Sequence, residues 1–576
     1  MNTTTIPRPE FPRPDFERKD WVNLNGRWEF SFDTDAFDRK ILVPYCYQAK
    51  ASGIGLDEPH SVVWYRRQFT AETVKLKPGR LLLKFGAVDY QADIYVNGVL
   101  AASHEGGHIS FAADITDFVR DGENTLTVRV RDYPNADKPR GKQSWTGEKF
   151  GCWYTPTTGI WQTVWLEYVG EVYLQRVKYT PDLRSLTALC EVFISSMEET
   201  EVVLAPTLRA AGKEIFRFAE LHLICRNGYG RAAIAFPDFD LRRDQLCWTP
   251  EHPSLVDVLV HIPGQNDDVS TYFGMRSVKT ENATFLLNDE FYYQRLVLDQ
   301  GYWTDTLLTP PSDEDIQKDI TLTKAMGFNG ARKHQKIEDP RYYYWADRLG
   351  LLVWGELPSP YEYNDNAVLR AGREFSEFIL RDYNHPCIVT WVPINESWGV
   401  RNIQTDTQQQ DFSRMMIYLA KALDPIRLVS GNDGWEQVSD TDICAIHDYS
   451  LIPSTISKYA DMDKVIKTVA DTRMIMAENS AYCGQPVILT EYGGIAFQRA
   501  GEEGWGYLGK VKDVPEFLAR LEPITTYLIR GGDFSGFCYT QLTDVMQEVN
   551  GLLNKDRTPK IPLEQLKEIF GKARFA

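Results

Sequence analysis

After Phe273-Gly274-Met275-Arg276 the apolar pattern of this chain changes period. Short apolar runs begin to alternate with stretches of helical spacing. Eight runs can be counted: 295–299, 328–332, 351–356, 388–394, 427–431, 443–447, 486–491 and 535–541. Strand and helix signals in alternation build a parallel sheet with helical crossovers. Eight of each in about 280 residues is the count of a closed (β/α)8 barrel. An open doubly wound sheet is the alternative, but no G-x-G-x-x-G follows the first run. Ser312 with Asp315 forms a capping box for the first helix and Gly327 ends it. A helix over 407–423 is expected to bury Phe412, Met415, Met416, Leu419 and Leu423 as one stripe.

The preceding residues read differently. From Leu24 to about Val169, runs such as QADIYVNGVLAAS alternate at period two, and Asn97-Gly98 sits where a two-residue hairpin turn needs positive φ. Residues 170–278 carry further short alternating stretches of immunoglobulin-like size. The domains are therefore placed at 1–169 (β-sandwich), 170–278 (immunoglobulin-like β-sandwich) and 279–576 (barrel).

Composition narrows the function classes. With 63 Lys+Arg against 80 Asp+Glu the net charge is −17, so the basic field of a nucleic-acid or anionic-membrane binder is missing. No apolar run reaches membrane-spanning length and the N-terminal stretch has no leader-like apolar core, which makes the cytoplasm the expected compartment. Nine scattered cysteines without a C-x-x-C read as reduced thiols.

In such barrels the reactive groups stand at the C-terminal ends of the strands. Those ends offer Asp299, Arg332, Glu356, Asn395-Glu396, His447 with Tyr449, and Glu491. Glu396 closes WVPINE and Glu491 closes PVILTE, so each carboxylate is delivered to the rim by a buried strand. Two facing carboxylates are the minimal apparatus for cleaving a glycosidic bond: one protonates the leaving oxygen, the other attacks or stabilises the sugar carbon. Their repulsion separates the two pKa values. Helix capping or pairing with Arg332 is the structural alternative for either residue. The first strand lacks His-x-His and no helix carries an i, i+4 His pair, so no metal or other cofactor is expected for the chemistry; a structural Mg²⁺ or Na⁺ stays open. Fifteen tryptophans can supply stacking platforms for sugar rings, and Trp303, Trp354 and Trp398 lie nearest strand ends.

These residues resemble glycoside hydrolase family 2, the β-galactosidase and β-glucuronidase family, over nearly the whole chain. The resemblance is carried by VNLNGRWEF (22–30), VWYRRQF (63–69), YVNG (95–98), HEGGH (104–108) and GIWQTVWLE (159–167). In the barrel it rests on GFNGAR (327–332), DRLGLLVWGE (347–356), NHP (384–386), NES (395–397) and TEYGG (490–494). It implies a jelly-roll sugar-binding-type domain, an immunoglobulin-like domain and the barrel, and a retaining reaction through a covalent glycosyl-enzyme. Matched position by position, Glu396 is the acid/base and Glu491 the nucleophile. Asn395 meets the sugar 2-hydroxyl, Tyr449 hydrogen-bonds the nucleophile, and Arg332 keeps it ionised.

Several family positions differ here. Leu298-Asp299-Gln300-Gly301 stands where many members have Asn-Arg-His-Glu, and Lys333-His334-Gln335 replaces Thr-Ser-His. Glu548-Val549-Asn550 replaces the Asn-x-Lys that meets a uronate in the family's glucuronidases, and Glu548 would repel that carboxylate. Asp299, Gln300, His334, Gln335, His447, Gln541, Glu548 and Asn550 are thus the candidate sugar contacts, with Trp354 and Trp398 as platforms. The expected activity is exo-acting removal of a neutral terminal sugar from an oligosaccharide or glycoside, of β-galactosidase type. A β-D-galactofuranosidase or α-L-arabinofuranosidase is the close alternative, and a non-catalytic carbohydrate-binding protein the alternative of another class. A homo-oligomer is compatible with two β domains beside a barrel.

Overall fold

The computed structural model describes residues 6–574 except 77, 468, 471 and 499–502; the first residues of the N-terminal stretch read for a leader lie outside it. The first sandwich packs a four-stranded antiparallel sheet against a six-stranded one. Strand Gly122–Arg131 shows why: every second side chain is buried, and its inward residues join a core with Trp28, Tyr65 and Leu83. Asn97 and Gly98 both adopt positive φ, closing the hairpin between Gln91–Val96 and Val99–Glu105 as expected.

The second sandwich pairs a three-stranded sheet with a larger one built on Thr200–Ala210 and Leu255–His261. Its edge is completed from far away: Phe16–Glu17 pairs with Thr271 and Ser270 of strand Asp268–Phe273. Arg18 then locks this strap, bonding Asp267 at 2.6 Å and Glu167 at 2.7 Å, one from each sandwich. The N-terminal segment also reaches the barrel, where Arg8 pairs with Asp313 at 2.6 Å.

All eight barrel strands form: Gln294–Asp299, Gly330–Lys333, Leu352–Glu356, Ile388–Val392, Leu428–Val429, Cys444–Asp448, Val487–Gly493 and Gly536–Thr540. They lie in one parallel eight-stranded sheet in barrel order, with its two ends at the fifth and sixth strands. Across that seam the Asp442 N–H donates to the Val429 carbonyl at 2.9 Å and the His447 N–H to the Gly434 carbonyl at 3.2 Å. Ser312 caps helix Asp313–Ala325 by accepting from the Asp315 N–H, and Gly327 follows at φ +96°.

Two expectations need correction. Helix Thr407–Leu423 buries Phe412, Met416, Ile417 and Ala420; Met415 is exposed, because its direction falls one residue outside the apolar arc. The fifth crossover has no helix among the described residues. Its sequence, SGNDGWEQVSDTDI (430–443), is rich in Gly, Asn and Asp and lacks a helical apolar period. No described helix is long and apolar enough to cross a membrane, and all nine cysteines are free thiols.

Candidate active site

The helix-less crossover braces the rim. Beyond the fourth strand, Asn395 continues the register by bridging to Asp433. Glu396 and Ser397 then turn at φ +51° and +57°, a left-handed conformation that non-glycine residues hold only when it is fixed from outside. The fixing bonds come from 432–436: the Glu396 N–H donates to the Asp433 carbonyl (2.9 Å), the Ser397 N–H to Asn432 Oδ1 (3.0 Å) and Ser397 Oγ to Glu436 (2.6 Å). Glu491 stands within the seventh strand, at an irregularity in its pairing with the eighth. A carboxylate oxygen of Glu396, a ring nitrogen of His447 and a carboxylate oxygen of Glu491 lie within 4.8 Å of one another. The two glutamates therefore converge on one point.

Around Glu491 the contacts are cationic and phenolic. Arg332 Nη1 donates to Oε1 at 2.8 Å and the Tyr449 hydroxyl to Oε2 at 2.5 Å. The Arg332 guanidinium also donates to Asn395 Oδ1 at 2.5 Å and lies 2.8 Å from Glu356. Burial opposes its charge, but Asp433, Glu356 and Glu491 override that and keep it protonated. Asn395 Nδ2 is buried with no protein partner among the described residues, an amide donor held ready by the bond on its other end. Glu356 is pushed up to about 8 by burial despite Arg332.

His447 departs from the role expected of it. It is completely buried, with Nδ1 2.8 Å from Glu396 Oε1, Nε2 2.8 Å from Asp433 Oδ1, and Nδ1 3.6 Å from Glu491 Oε1. Both ring nitrogens are occupied by carboxylates, so it braces the glutamates and does not face a sugar. Gly434 makes the approach possible, since a Cβ there would lie 2.8 Å from Nδ1. Burial opposes the imidazolium, but Glu491, Asp433 and Glu396 raise its pKa to about 10. Burial likewise raises the Glu396 carboxyl, yet the bond and charge of His447 bring it down to about 2. Among the described residues Glu396, His447 and Glu491 also lie close enough together to hold a metal ion, which would have to displace any proton from His447.

The remaining candidates divide by position. Trp398 stays half-buried beside the site, its Nε1 3.3 Å from Glu396 Oε2. Trp354 does not serve as a platform: it is fully buried inside the barrel and donates to Gln294 Oε1 at 2.8 Å. Asp299 is likewise consumed, accepting from Lys333 Nζ at 2.7 Å within a buried pair network that includes Glu338. His334 is buried against Glu356 at 3.1 Å and kept neutral by burial and Arg332. Gln335 uses its amide oxygen to hold the Ser359 N–H and the Tyr361 hydroxyl. Gln300, Gln541, Asn550 and Glu548 form one chain: Gln300 donates to Gln541 at 2.7 Å, and Gln541 to Asn550 at 2.6 Å and Glu548 at 3.2 Å.

The first sandwich supplies residues that sequence reading missed. Its loop 140–154 crosses the barrel mouth, with the Arg140 and Gly141 N–H groups donating to the Ser359 carbonyl. The Tyr154 hydroxyl donates to Glu548 at 2.8 Å. Trp153 packs edge-on against Trp398 at 5.1 Å and against Trp145 and Tyr361, so an aromatic wall flanks Glu396. Lys142 is 7% exposed, and no carboxylate pairs with it among the described residues. Burial opposes its charge, but Cys152, Glu548, Glu396 and Glu491 hold the ammonium protonated. The only local signal was the density of Trp, Lys and Gly in GKQSWTGEKFGCWY (141–154).

Residues 311–575 match the model described as "Glycosyl hydrolases family 2, TIM barrel domain", and 58–161 match "Glycosyl hydrolase 2 galactose-binding domain-like". A β-galactosidase of Thermoanaerobacter pseudethanolicus is 26% identical over 72% of this chain and 54% of its own length. A putative β-glucuronidase of Formosa agariphila is 28% identical over 68% of this chain and 47% of its own. The chain thus spans about half the length of these two relatives. The solved structure of a β-D-glucuronidase from Dictyoglomus thermophilum superposes with a TM-score of 0.76 at 21% identity, over 98% of both chains. Fold and site define a barrel protein with two β-sandwiches and a pair of converging glutamates at its mouth. The chain belongs to glycoside hydrolase family 2.

Proposed function

We propose that the protein is a retaining, exo-acting β-glycoside hydrolase, with Glu491 as nucleophile and Glu396 as acid/base. The observation that carries this is the approach of the two carboxylates: oxygens within 4.8 Å suit the roughly 5–5.5 Å of double displacement, not the wider gap of about 6.5–9.5 Å that admits a water. Arg332 and Tyr449 hold Glu491 for attack on the anomeric carbon, forming a glycosyl-enzyme. The leaving oxygen takes a proton from Glu396. His447 Nδ1, 2.8 Å from Glu396 Oε1, is the neighbour placed to exchange a proton with that carboxylate. In the second step Glu396, again ionised, takes a proton from water as it attacks, and the sugar leaves with retained configuration. Asn395 Nδ2 is the donor for the 2-hydroxyl, a contact that strengthens in the transition state.

For the glycon we infer a neutral sugar of galactoside type. Glu548 is buried and partnered by Tyr154 and Gln541, so that wall offers a sugar carboxylate no cation of its own. A uronide is the second reading, favoured by the buried Lys142 ammonium, which has no carboxylate in ion-pair contact among the described residues. A panel of p-nitrophenyl glycosides, including β-galactoside, β-glucuronide and α-L-arabinofuranoside, decides between them. Glu491→Gln should lower turnover of the best substrate by about four orders of magnitude with an unchanged circular dichroism spectrum. Near-normal activity in that variant would remove the nucleophile assignment.

A further inference from the structure

A cavity of about 710 Å³ lies at the barrel mouth but does not contain the paired glutamates. This half-open cavity is lined by the sandwich loop 149–151, by 302–304 after the first strand, by Trp505, and by residues of 544–557 after the eighth. The turn Val545–Glu548, closed by reciprocal backbone bonds of 3.0 and 2.8 Å, separates it from the catalytic cleft. The Glu548 side chain faces Tyr154 and Gln541, whereas Met546 and Gln547 line the cavity. Gln547 Nε2 stitches this wall to the sandwich through the Gly151 and Trp153 carbonyls at 2.8 and 3.0 Å.

The lining combines rings left partly open to water with polar ends. Phe150, Trp303 and Trp505 are half-exposed or exposed within it, beside Thr304, Gln547 and Lys555. Trp303 is held rigidly: the Arg557 guanidinium covers one side of the indole at 3.5 Å and is fixed by Asp319 and the Tyr302 carbonyl. Nothing in the catalytic step uses these rings. Fixed aromatic faces with hydrogen-bonding groups at their margins match a pyranose ring, which offers an apolar C–H face and a rim of hydroxyls. The volume lies within the roughly 300–1,000 Å³ of ligand sites and is ample for more than one sugar ring.

We propose that this cavity is a second saccharide site, shared by the first sandwich and the barrel, that stacks a pyranose ring of a glycan on Trp303 and Trp505. It rests on the hydrolase reading for its choice of ligand. The ring can belong to the distal part of a bound substrate or to a separate glycan, and two arms of one experiment separate these sources. In the first arm, full-length Glu491→Gln protein and its Trp303→Leu derivative are titrated with galacto-, cello-, xylo- and galacturono-tetrasaccharides. At least one should bind, and Trp303→Leu should weaken it about tenfold, as the loss of one stacked ring face implies. In the second arm, the otherwise native Trp303→Leu enzyme is assayed. Its kcat/KM on the best aryl monoglycoside should stay within about twofold, as expected of a contact made only by a remote ring. A raised KM for the matching tetrasaccharide then identifies the distal part of the substrate, and an unchanged KM with weakened titration identifies a separate glycan. Trp505→Leu should reproduce the titration loss. If no tetrasaccharide binds, or both variants bind as the parent does, the proposal is overturned while aryl-glycoside turnover leaves the hydrolase reading standing. Absence of turnover on every aryl glycoside would instead strike the hydrolase reading.

Discussion

His447→Gln tests the electrostatic core of the site. The imidazolium sits 2.8 Å from two carboxylates and 3.6 Å from a third, and its pKa rises from 6.5 to about 10 on folding. A group raised in this way stabilises the fold fully below its unfolded pKa and loses that contribution as pH climbs toward the folded value. The window therefore runs from about pH 6.5 to pH 10. At roughly 1.4 kcal/mol per tenfold, the contribution is about 4 kcal/mol at pH 7 and about 1 kcal/mol at pH 9. This agrees with the ~3–5 kcal/mol cost of breaking a buried pair. The depressed Glu396 reflects the same interaction and is not an additional gain. Urea unfolding of parent and variant at pH 6, 7, 8 and 9 reads the difference directly. It should shrink steadily across the series. A difference below about 1 kcal/mol at pH 7, or one independent of pH, would mean that His447 is neutral and merely packed.

Glu396→Gln should lose at least about a hundredfold more activity on alkyl glycosides than on those with nitrophenolate leaving groups, because only the former need a proton; equal losses would refute its role as the acid. Trp354→Phe should cost about 2–4 kcal/mol through a core void and an unpaired Gln294, with KM unchanged; a raised KM at undiminished stability would restore it as a platform. Arg18→Met should destabilise by about 3–5 kcal/mol in urea, since Asp267 loses its buried cation while Glu167 keeps only Lys84. The parent should also weaken as pH falls from about 4.5 toward 2, the range over which Glu167, held to about 2 by Lys84 and Arg18 against burial, becomes protonated.

The barrel was legible because its strands are buried on both faces and announce themselves as apolar runs, and WVPINE and PVILTE mark where each catalytic candidate leaves the core. What a linear pattern cannot carry is direction beyond the strand. Trp354 and Trp398 look alike in sequence, yet one lies on the inward pleat of a strand and the other just past a turn. His447 looked like a sugar contact because it ends a strand, but Gly434 and Asp433, from the neighbouring crossover, draw its ring inward. The fifth crossover lacked a helical period, and only its bonds to Glu396 and Ser397 explain what it does instead. Lys142, Trp153 and Tyr154 were invisible for a simpler reason: they reach the barrel from another domain, and no local signal encodes that distance.

The strap formed by Arg8, Phe16 and Arg18 also sets an order of events during synthesis. These residues leave the ribosome before anything they bind, and wait for a β-strand some two hundred and fifty residues later and for a barrel helix later still. The first sandwich offers Arg18 the Glu167 carboxylate, but the strap is not complete until strand Asp268–Phe273 and helix Asp313–Ala325 have been made. Its docking is thus a late fastening, and a protease present during translation should find this segment cleavable long after the neighbouring sheets have become resistant.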